Sequence, residues 1–266
     1  MLYYIAYIDI LGSKAIFTDD VSSVDISEFL KSNRQLAKDV VSKTGVMFED
    51  GSYALKSFSD NFVILIKCTG TSNDLEKIQA LSRVIAQIQL KSLVEYKILL
   101  RGGITKGDAF VDDNIVCGRG LIHAVELEHE AVFPRIIFDE MSFEKDTLEM
   151  LQKTNEFISK DNDEKYYVDF LELLVESRSD RLNYHLETTS LSKLRENIID
   201  LVRKHARYRN ERKSDKIEEV GKKIVKYTWI LLKFNDFCEK YNSNMRIHYS
   251  FDPHPRFMRC QIKVKK

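Results

Sequence analysis

The first 105 residues alternate apolar runs with amphipathic stretches in an order that few folds can accommodate. Runs typical of strands cover residues 3–11, 53–58, 62–67 and 98–105. Apolar residues recur at helical spacing over 25–43 and 74–95. The resulting order is βαββαβ, and two split β-α-β units of this kind form a ferredoxin-like sheet with both helices on one face. The sequence therefore predicts an α+β fold whose first strand lies in the middle of the sheet.

The rest of the chain continues this core and then changes character. A second hairpin is expected around 112–114, followed by a helix over 118–129 and a strand over 133–138. We place the first domain at residues 1–170 and a mainly helical extension with short terminal strands at 171–266. Helical spacing in the extension covers 190–206 and 216–241.

Composition excludes several classes of protein. The 266 residues carry 41 basic and 41 acidic side chains, so we expect no general affinity for nucleic acid or anionic membranes. The apolar start is interrupted by Asp9, well short of the roughly 20 residues of a membrane span. The four cysteines form no CxxC pair, which argues against structural zinc or a disulfide framework. We therefore expect a cytoplasmic protein.

Two carboxylates stand at strand ends that this fold would bring together. Asp9 lies near the end of the first strand, and Asp60 lies between the two strands of a tight hairpin. Paired carboxylates on a rigid sheet suit Mg²⁺ ions that bridge phosphate oxygens. The alternative is that Asp9 caps a helix and Asp60 is only a turn residue. The pattern alone leaves both interpretations open.

Three segments resemble the class III nucleotidyl cyclases, in the order in which that family has them. They are YIAYIDILGSK (4–14), LKSFSDNFVI (55–64) and LLRGGITKGDAFVDDNIVCGRGLIHAVELE (99–128). Each segment is weak alone, but chance agreement of all three in order is improbable. The likeness is greater to bacterial members that begin in the same way, among which are the pyrimidine cyclases of antiphage signalling systems.

This resemblance implies a chemistry and an assembly. Asp9, Asp60 and the backbone carbonyl of Ile10 would bind two Mg²⁺ or Mn²⁺ ions, and Lys56 would contact the base of a nucleoside triphosphate. The active site would form between two copies of the domain in a homodimer. The ribose 3′-hydroxyl would attack the α-phosphorus, and pyrophosphate would leave.

The likeness also fails at specific positions. Arg119 stands where adenylate cyclases have a base-binding Asp, Ile122 replaces the usual Asn, and Glu126 replaces the transition-state Arg. Arg101, with Arg119 and Lys106, supplies the nearest basic side chains in the sequence. A pocket with Lys56 and Arg119 offers only hydrogen-bond donors, which favours uracil or guanine over adenine.

Three functions follow from these observations, in order of preference. The first is a metal-dependent cyclase that uses UTP or another non-adenine nucleotide. The second is a nucleotide-binding or regulatory module that has lost catalysis, as the residues at 122 and 126 suggest. The third is a nucleic-acid-binding protein that uses the basic stretch 203–213, although a solvated helix connection is the preferred interpretation of that stretch.

Overall fold

The structure is a computed structural model that describes most of the chain. The described residues are 1–13, 23–43, 53–58, 60–70, 73–143, 145–154, 157–180, 183–207, 214–254 and 257–262. They divide into two compact units, Met1–Ser92 with Ile98–Leu173, and Leu93–Lys97 with Leu174–Lys266.

Unit 1 is built on a seven-stranded sheet with the order β2-β3-β1-β4-β7-β9-β8. Its strands are β1 (Leu2–Ile10), β2 (Tyr53–Phe58), β3 (Asn61–Lys67), β4 (Leu100–Asp108), β7 (Ile136–Phe138), β8 (Ile158–Lys160) and β9 (Tyr166–Val168). A separate ribbon pairs β5 (Phe110–Val111) with β6 (Val116–Cys117). The helical elements are α1 (Ser23–Lys43), α2 (Asn73–Tyr96), α3 (Arg119–Ala131), α4 (Lys145–Thr154) and a 3₁₀ turn at Phe170–Leu174.

The first four strands have ferredoxin-like connectivity. β1 pairs antiparallel with β3 on one side and with β4 on the other, and β2 pairs antiparallel with β3. The predicted α+β class, the βαββαβ order and the central place of β1 are therefore confirmed. β4 covers 100–108 rather than 98–105, and β7 covers only three of the six residues expected over 133–138. β7 runs parallel to β4 and extends the sheet towards β9 and β8.

Both faces of β1 are buried, but by different elements. Crossovers between parallel strands of one sheet are right-handed as a rule, which puts α1 and α2 on the same face, and Lys91 of α2 donates to Ser32 of α1 at 2.6 Å. On this face Ala6 and Ile8 are fully buried. On the opposite face Tyr3 and Ile5 belong to one apolar cluster with Ala124 of α3. Helix α3 therefore covers a face that a minimal ferredoxin-like fold leaves open.

Glycines on β4 allow α3 to approach the sheet closely. A Cβ added at Gly107 would lie 2.6 Å from the Cα of Gly120, and one at Gly103 would collide with Leu127. Because neither glycine carries a side chain, the helix lies almost directly on the strand. This contact fixes which α3 side chains reach the neighbouring end of the sheet.

Unit 2 contains the helical extension. Its long helices are α5 (Thr188–Arg207) and α6 (Ser214–Lys240). Its strands form two hairpins, β10 (Val175–Asp180) with β11 (Asn183–Leu186), and β12 (Tyr249–His254) with β13 (Phe257–Ile262). Residues 208–213, most of the basic stretch, lie outside the described residues. No helix within the described ranges combines the length and hydropathy needed to cross a bilayer.

Candidate functional site

Asp9 lies near the carboxyl end of the central strand, on the face that α3 covers. It pairs with Asn61 of β3 and with Arg101 of β4. Within the β1 segment from Tyr3 to Ile10 only Tyr7 and Asp9 are partly exposed, because α3 leaves this end of the sheet open. The strand alternation that buries Ile8 and Ile10 on one face thus presents two polar side chains on the other.

Asp60 lies in the turn that joins β2 to β3. Phe58 pairs with Asn61 across this turn, and Asn61 is also the partner of Asp9. The register of β1 and β3 thus brings both predicted carboxylates to the same end of the sheet. Their coupling is visible in the pKa of Asp9, since the charge of Asp60 is one of the groups that raise it.

The pKa of Asp9 is raised from 3.8 to about 6, first by burial and then by the negative charges of Glu128 and Asp60. The guanidinium of Arg101 and a hydrogen bond from the Ile10 backbone amide act in the opposite direction. Burial and like charges therefore prevail over the guanidinium of Arg101. An additional positive charge placed here would relieve this repulsion.

Arg101 lies between two acids. Its Nη2 is 3.8 Å from Asp9 Oδ2 and makes a closer ion contact with Glu128 Oε1. The Glu128 side chain is 3% exposed, and its other oxygen, Oε2, is 3.2 Å from Nδ1 of His129. Within the described part of the chain, neither Arg101 Nε nor Glu128 Oε1 has a partner in hydrogen-bonding geometry. Arg101 and Glu128 are therefore in close contact, but one donor of the guanidinium and one acceptor of the carboxylate make no hydrogen bond.

Tyr7 adds a neutral hydroxyl to this group. Burial raises its pKa to about 12, and the charges of Asp9, Glu128 and Asp60 act in the same direction, whereas a hydrogen bond with Asn61 lowers it. The phenol therefore stays protonated at neutral pH and remains a hydrogen-bond donor.

The two carboxylates suit a divalent cation whose remaining ligands come from a bound nucleotide and water. No group of three or more His, Cys, Asp or Glu side chains that could hold a metal occurs among the described residues. Mg²⁺, however, commonly uses one or two carboxylates together with water and substrate phosphates. Asp9 and Asp60 would supply two hard oxygen ligands, and burial followed by the charges of Glu128 and Asp60 raises the pKa of Asp9, so its ionised form is disfavoured without a counter-ion. The donor set therefore suits Mg²⁺ or Mn²⁺ bound together with a nucleotide.

Comparison with known proteins gives matches only among solved structures. No family model and no curated protein matches the chain. The adenylyl cyclase CyaB from P. aeruginosa is 15% identical with a TM-score of 0.46, over 67% of this chain and 96% of that one.

The catalytic core of a rhodopsin-guanylyl cyclase with converted specificity, in complex with ATPαS, is 14% identical with a TM-score of 0.44, over 63% of this chain and 94% of that one. An adenylate/guanylate cyclase/hydrolase from Silicibacter pomeroyi is 15% identical with a TM-score of 0.41, again over 63% and 94%. Identities of this size with TM-scores below 0.5 carry no conclusion about activity, which is inferred below from the chain's own side chains.

The two residues predicted to contact the base have separate partners. Lys56 is paired with Val63, which places it on the same sheet face as Tyr7 and Asp9, and its ammonium donates to the Asp113 carbonyl at 2.6 Å. Arg119 begins α3, and its 89% exposed side chain contacts Asp108 at 3.2 Å. No contact joins Lys56 to Arg119 among the described interactions.

The other positions raised by the resemblance lie on accessible surface or on the wrong face. Ile122 is 62% exposed and Glu126 is also exposed. Neither of these two positions on α3 therefore carries a basic side chain. Lys106 pairs with Tyr4, and its ammonium lies 5.8 Å from the centre of that ring. Tyr4 is on the sheet face opposite to Asp9, so Lys106 is not a neighbour of the carboxylates.

Sequence reasoning missed Glu128 and Tyr7 as members of the site. Tyr7 was detectable, because a residue two positions before Asp9 in a strand shares its face. Glu128 was detectable as an acid in the buried stripe of α3, whose other members are Gly120, Ala124, Leu127 and Ala131. A carboxylate in such a stripe requires a cation, and Arg101 provides it.

A second polar cluster lies on the other side of α3. Thr105 donates to Asp139 Oδ2 at 2.8 Å, and Nδ1 of His123 is 3.2 Å from the same oxygen. The backbone amide of Met141 donates to Asp139 Oδ1 at 3.0 Å. These contacts satisfy a buried carboxylate and attach α3 to the end of β7.

Proposed function

We propose that this chain is a metal-dependent nucleotidyl cyclase that converts a nucleoside triphosphate into a 3′,5′-cyclic nucleotide and pyrophosphate. The observation that carries the proposal is the charge balance at the end of β1. Asp9 is partly buried beside two further acids and one arginine, and its pKa is raised to about 6. Excess negative charge at a partly exposed strand end is a typical functional arrangement, because it costs stability and favours a cation.

Asp9 and Asp60, with the carbonyl of Ile10, would hold two Mg²⁺ or Mn²⁺ ions. Such ions, when bound, would lower the pKa of the ribose 3′-hydroxyl and neutralise phosphate oxygens. Arg101 would contact the phosphates. Its Nε makes no hydrogen bond among the described residues and could donate one to a phosphate oxygen. In this step the bond from O3′ to the α-phosphorus forms, the bond from that phosphorus to the pyrophosphate leaving group breaks, and the hydroxyl proton is released to water.

The base pocket would use Lys56 and Arg119, which offer donors and no acceptor. Carbonyl oxygens of uracil or guanine match such a pocket better than the amino group of adenine. Within one chain Lys56 and Arg119 have different partners and do not meet. In the proposal they contact the same nucleotide in a site formed between two copies of the chain. UTP or another non-adenine nucleotide is therefore the favoured substrate.

A homodimer is part of the proposal. Three large apolar side chains are more than half exposed on the β5–β6 ribbon and on α3, namely Phe110 (56%), Ile115 (52%) and Ile122 (62%). Contact with a second copy would cover them. A role in antiphage signalling in the bacterial cytoplasm follows from the resemblance, and phage plating on cells that express the protein or the Asp9→Asn variant tests it.

Incubation of the full chain with each of the four NTPs and Mn²⁺ or Mg²⁺, followed by chromatography of the products, tests the function. We expect a cyclic nucleotide from UTP or GTP, and none from the Asp9→Asn or Asp60→Ala variants. Glu149→Gln is the matched control, because this exposed acid lies on α4 and is not among the residues proposed for the site or the dimer contact. Full activity of Asp60→Ala would refute the metal assignment, and exclusive formation of cyclic AMP would refute the donor pocket.

The second candidate is a nucleotide-binding module without catalysis. It is favoured by the exposed Ile122 and Glu126, which place no cation on the surface of α3 where the family has an electrophilic group. Loss of one such donor typically costs on the order of 10²- to 10³-fold in rate. Tight NTP binding in calorimetry, without any product in the chromatography, would establish this function instead.

A further inference from the structure

Glu128 is a buried acid whose neighbours connect it to the proposed site. Helix α3 lies so close to β4 that the Glu128 carboxylate, 3% exposed, meets the guanidinium of Arg101. Its second contact is with His129, a side chain that is 73% exposed. A carboxylate held this far from water needs a charged partner, and Arg101, whose side chain is 17% exposed, is the less exposed of the two.

Arg101 is also within reach of Asp9, so two acids compete for one guanidinium. The contact with Glu128 is the shorter one, and the separation from Asp9 Oδ2 is 3.8 Å. At that separation Arg101 and Asp9 share no direct hydrogen bond. The Asp9 oxygens are therefore free of a guanidinium hydrogen bond, although a cation stands beside them.

Without the acid on α3 this balance would change. A guanidinium with no other partner forms short, often bidentate hydrogen bonds to a carboxylate. Arg101 would then move onto Asp9 and occupy the oxygens that a divalent cation needs. The metal would have to displace it before it could bind.

We propose that Glu128 is a positioning residue that holds Arg101 away from Asp9 and thereby keeps the Asp9 carboxylate open to a divalent cation. This inference rests on the proposed function. Glu128 is not one of the proposed metal ligands, and it would act through its contact with Arg101. Residues that orient a metal ligand in this way typically change metal affinity 10- to 100-fold when they are replaced.

Mn²⁺ titration of the full chain, followed by electron paramagnetic resonance of the free ion at pH 7.5 without nucleotide, measures this effect. We expect Glu128→Gln to bind Mn²⁺ 10- to 100-fold more weakly than the wild type. Glu130→Gln is the matched control, since this exposed acid on the same helix pairs only with Lys165 among the described contacts. Its Mn²⁺ affinity should equal that of the wild type.

A double-mutant cycle separates positioning from simple loss of negative charge. If Glu128 acts through Arg101, then Glu128→Gln has no further effect in an Arg101→Gln background. If the same loss appears in that background, Glu128 acts by its own charge and the positioning role is wrong. Equal affinity of Glu128→Gln and wild type also overturns it, whereas NTP turnover, measured in parallel, tests the proposed function independently.

Two further outcomes are informative. If circular dichroism shows that Glu128→Gln does not fold, Glu128→Asp is used in its place. This variant keeps the negative charge, but its side chain is one methylene shorter and its carboxylate lies farther from Arg101. That variant should bind Mn²⁺ several-fold more weakly than wild type, and unchanged affinity would contradict the proposal. A wild-type chain that binds no Mn²⁺ in the absence of nucleotide overturns this inference, whereas the metal-dependent function is judged separately by NTP turnover with and without the metal.

Discussion

Replacing Asp9 with Asn should make the protein more stable while it removes the proposed metal site. In the folded chain the Asp9 side chain is only 20% exposed and lies beside two other acids. Its charged form is therefore disfavoured relative to the unfolded chain, where the carboxylate is hydrated. Asn has nearly the same shape, cannot ionise, and keeps an oxygen for the Ile10 amide. The variant loses the unfavourable charge and little else.

The size of the effect follows from the pKa of Asp9, which rises from 3.8 to about 6 on folding. That difference corresponds to about 3 kcal/mol. The folded protein binds the proton more tightly, so its stability falls as pH rises through the window from about 4 to 6. Above pH 6 the whole penalty is present, at pH 5 roughly half of it remains, and near pH 3 it vanishes.

Scanning calorimetry of wild type and Asp9→Asn at pH 7.5 and pH 5 measures the prediction. At pH 7.5 we expect the variant to be about 3 kcal/mol more stable, which is a rise of about 6–12 °C in Tm for a unit of this size. At pH 5 the gap should shrink to about 1.5 kcal/mol. Asp113→Asn serves as the control, with a change within about 0.5 kcal/mol.

Two results would contradict this reasoning. If Asp9→Asn is no more stable than wild type at pH 7.5, Asp9 is not under electrostatic strain. If the gap is the same at both pH values, the gain does not come from ionisation of Asp9. Adding Mn²⁺ should raise the Tm of the wild type and leave that of the variant unchanged, because ligand binding stabilises only the form with the site.

Three further substitutions test the packing that positions the site, each measured by urea unfolding with wild type as reference. Gly103→Ala should cost about 1–3 kcal/mol, because its new Cβ collides with α3. Arg135→Met should cost about 3–5 kcal/mol, since it leaves the buried Asp161 carboxylate without its guanidinium. Thr105→Val should cost about 1–3 kcal/mol, because Asp139 loses a buried hydrogen bond. A loss below 0.5 kcal/mol in any of them would contradict the corresponding contact.

The order of strands and helices was predictable because the spacing of apolar residues within short windows indicates each element. Alternation with a period of two and helical spacing are properties of short windows, so the four strands and two helices of the first 105 residues could be assigned without coordinates. The three-residue strands β7, β8 and β9 carry too little periodicity for the same treatment, and of these the sequence indicated only β7. The turn that holds Asp60 was also local, because a tight hairpin is set by the residues within it.

The neighbours of Asp9 depended on the tertiary structure. Arg101 and Glu128 are 27 positions apart and meet only because Gly103 and Gly107 let α3 lie on β4. The face on which Lys106 lies was decided by strand register, since a shift of one residue reverses every side chain. Periodicity in this sequence therefore determined the elements and placed two carboxylates at strand ends. Strand pairing, which brought Arg101 and Asp60 to Asp9, and the packing of α3, which added Glu128, decided which charges surround Asp9, because electrostatic interactions depend on distance in space and not on separation along the chain.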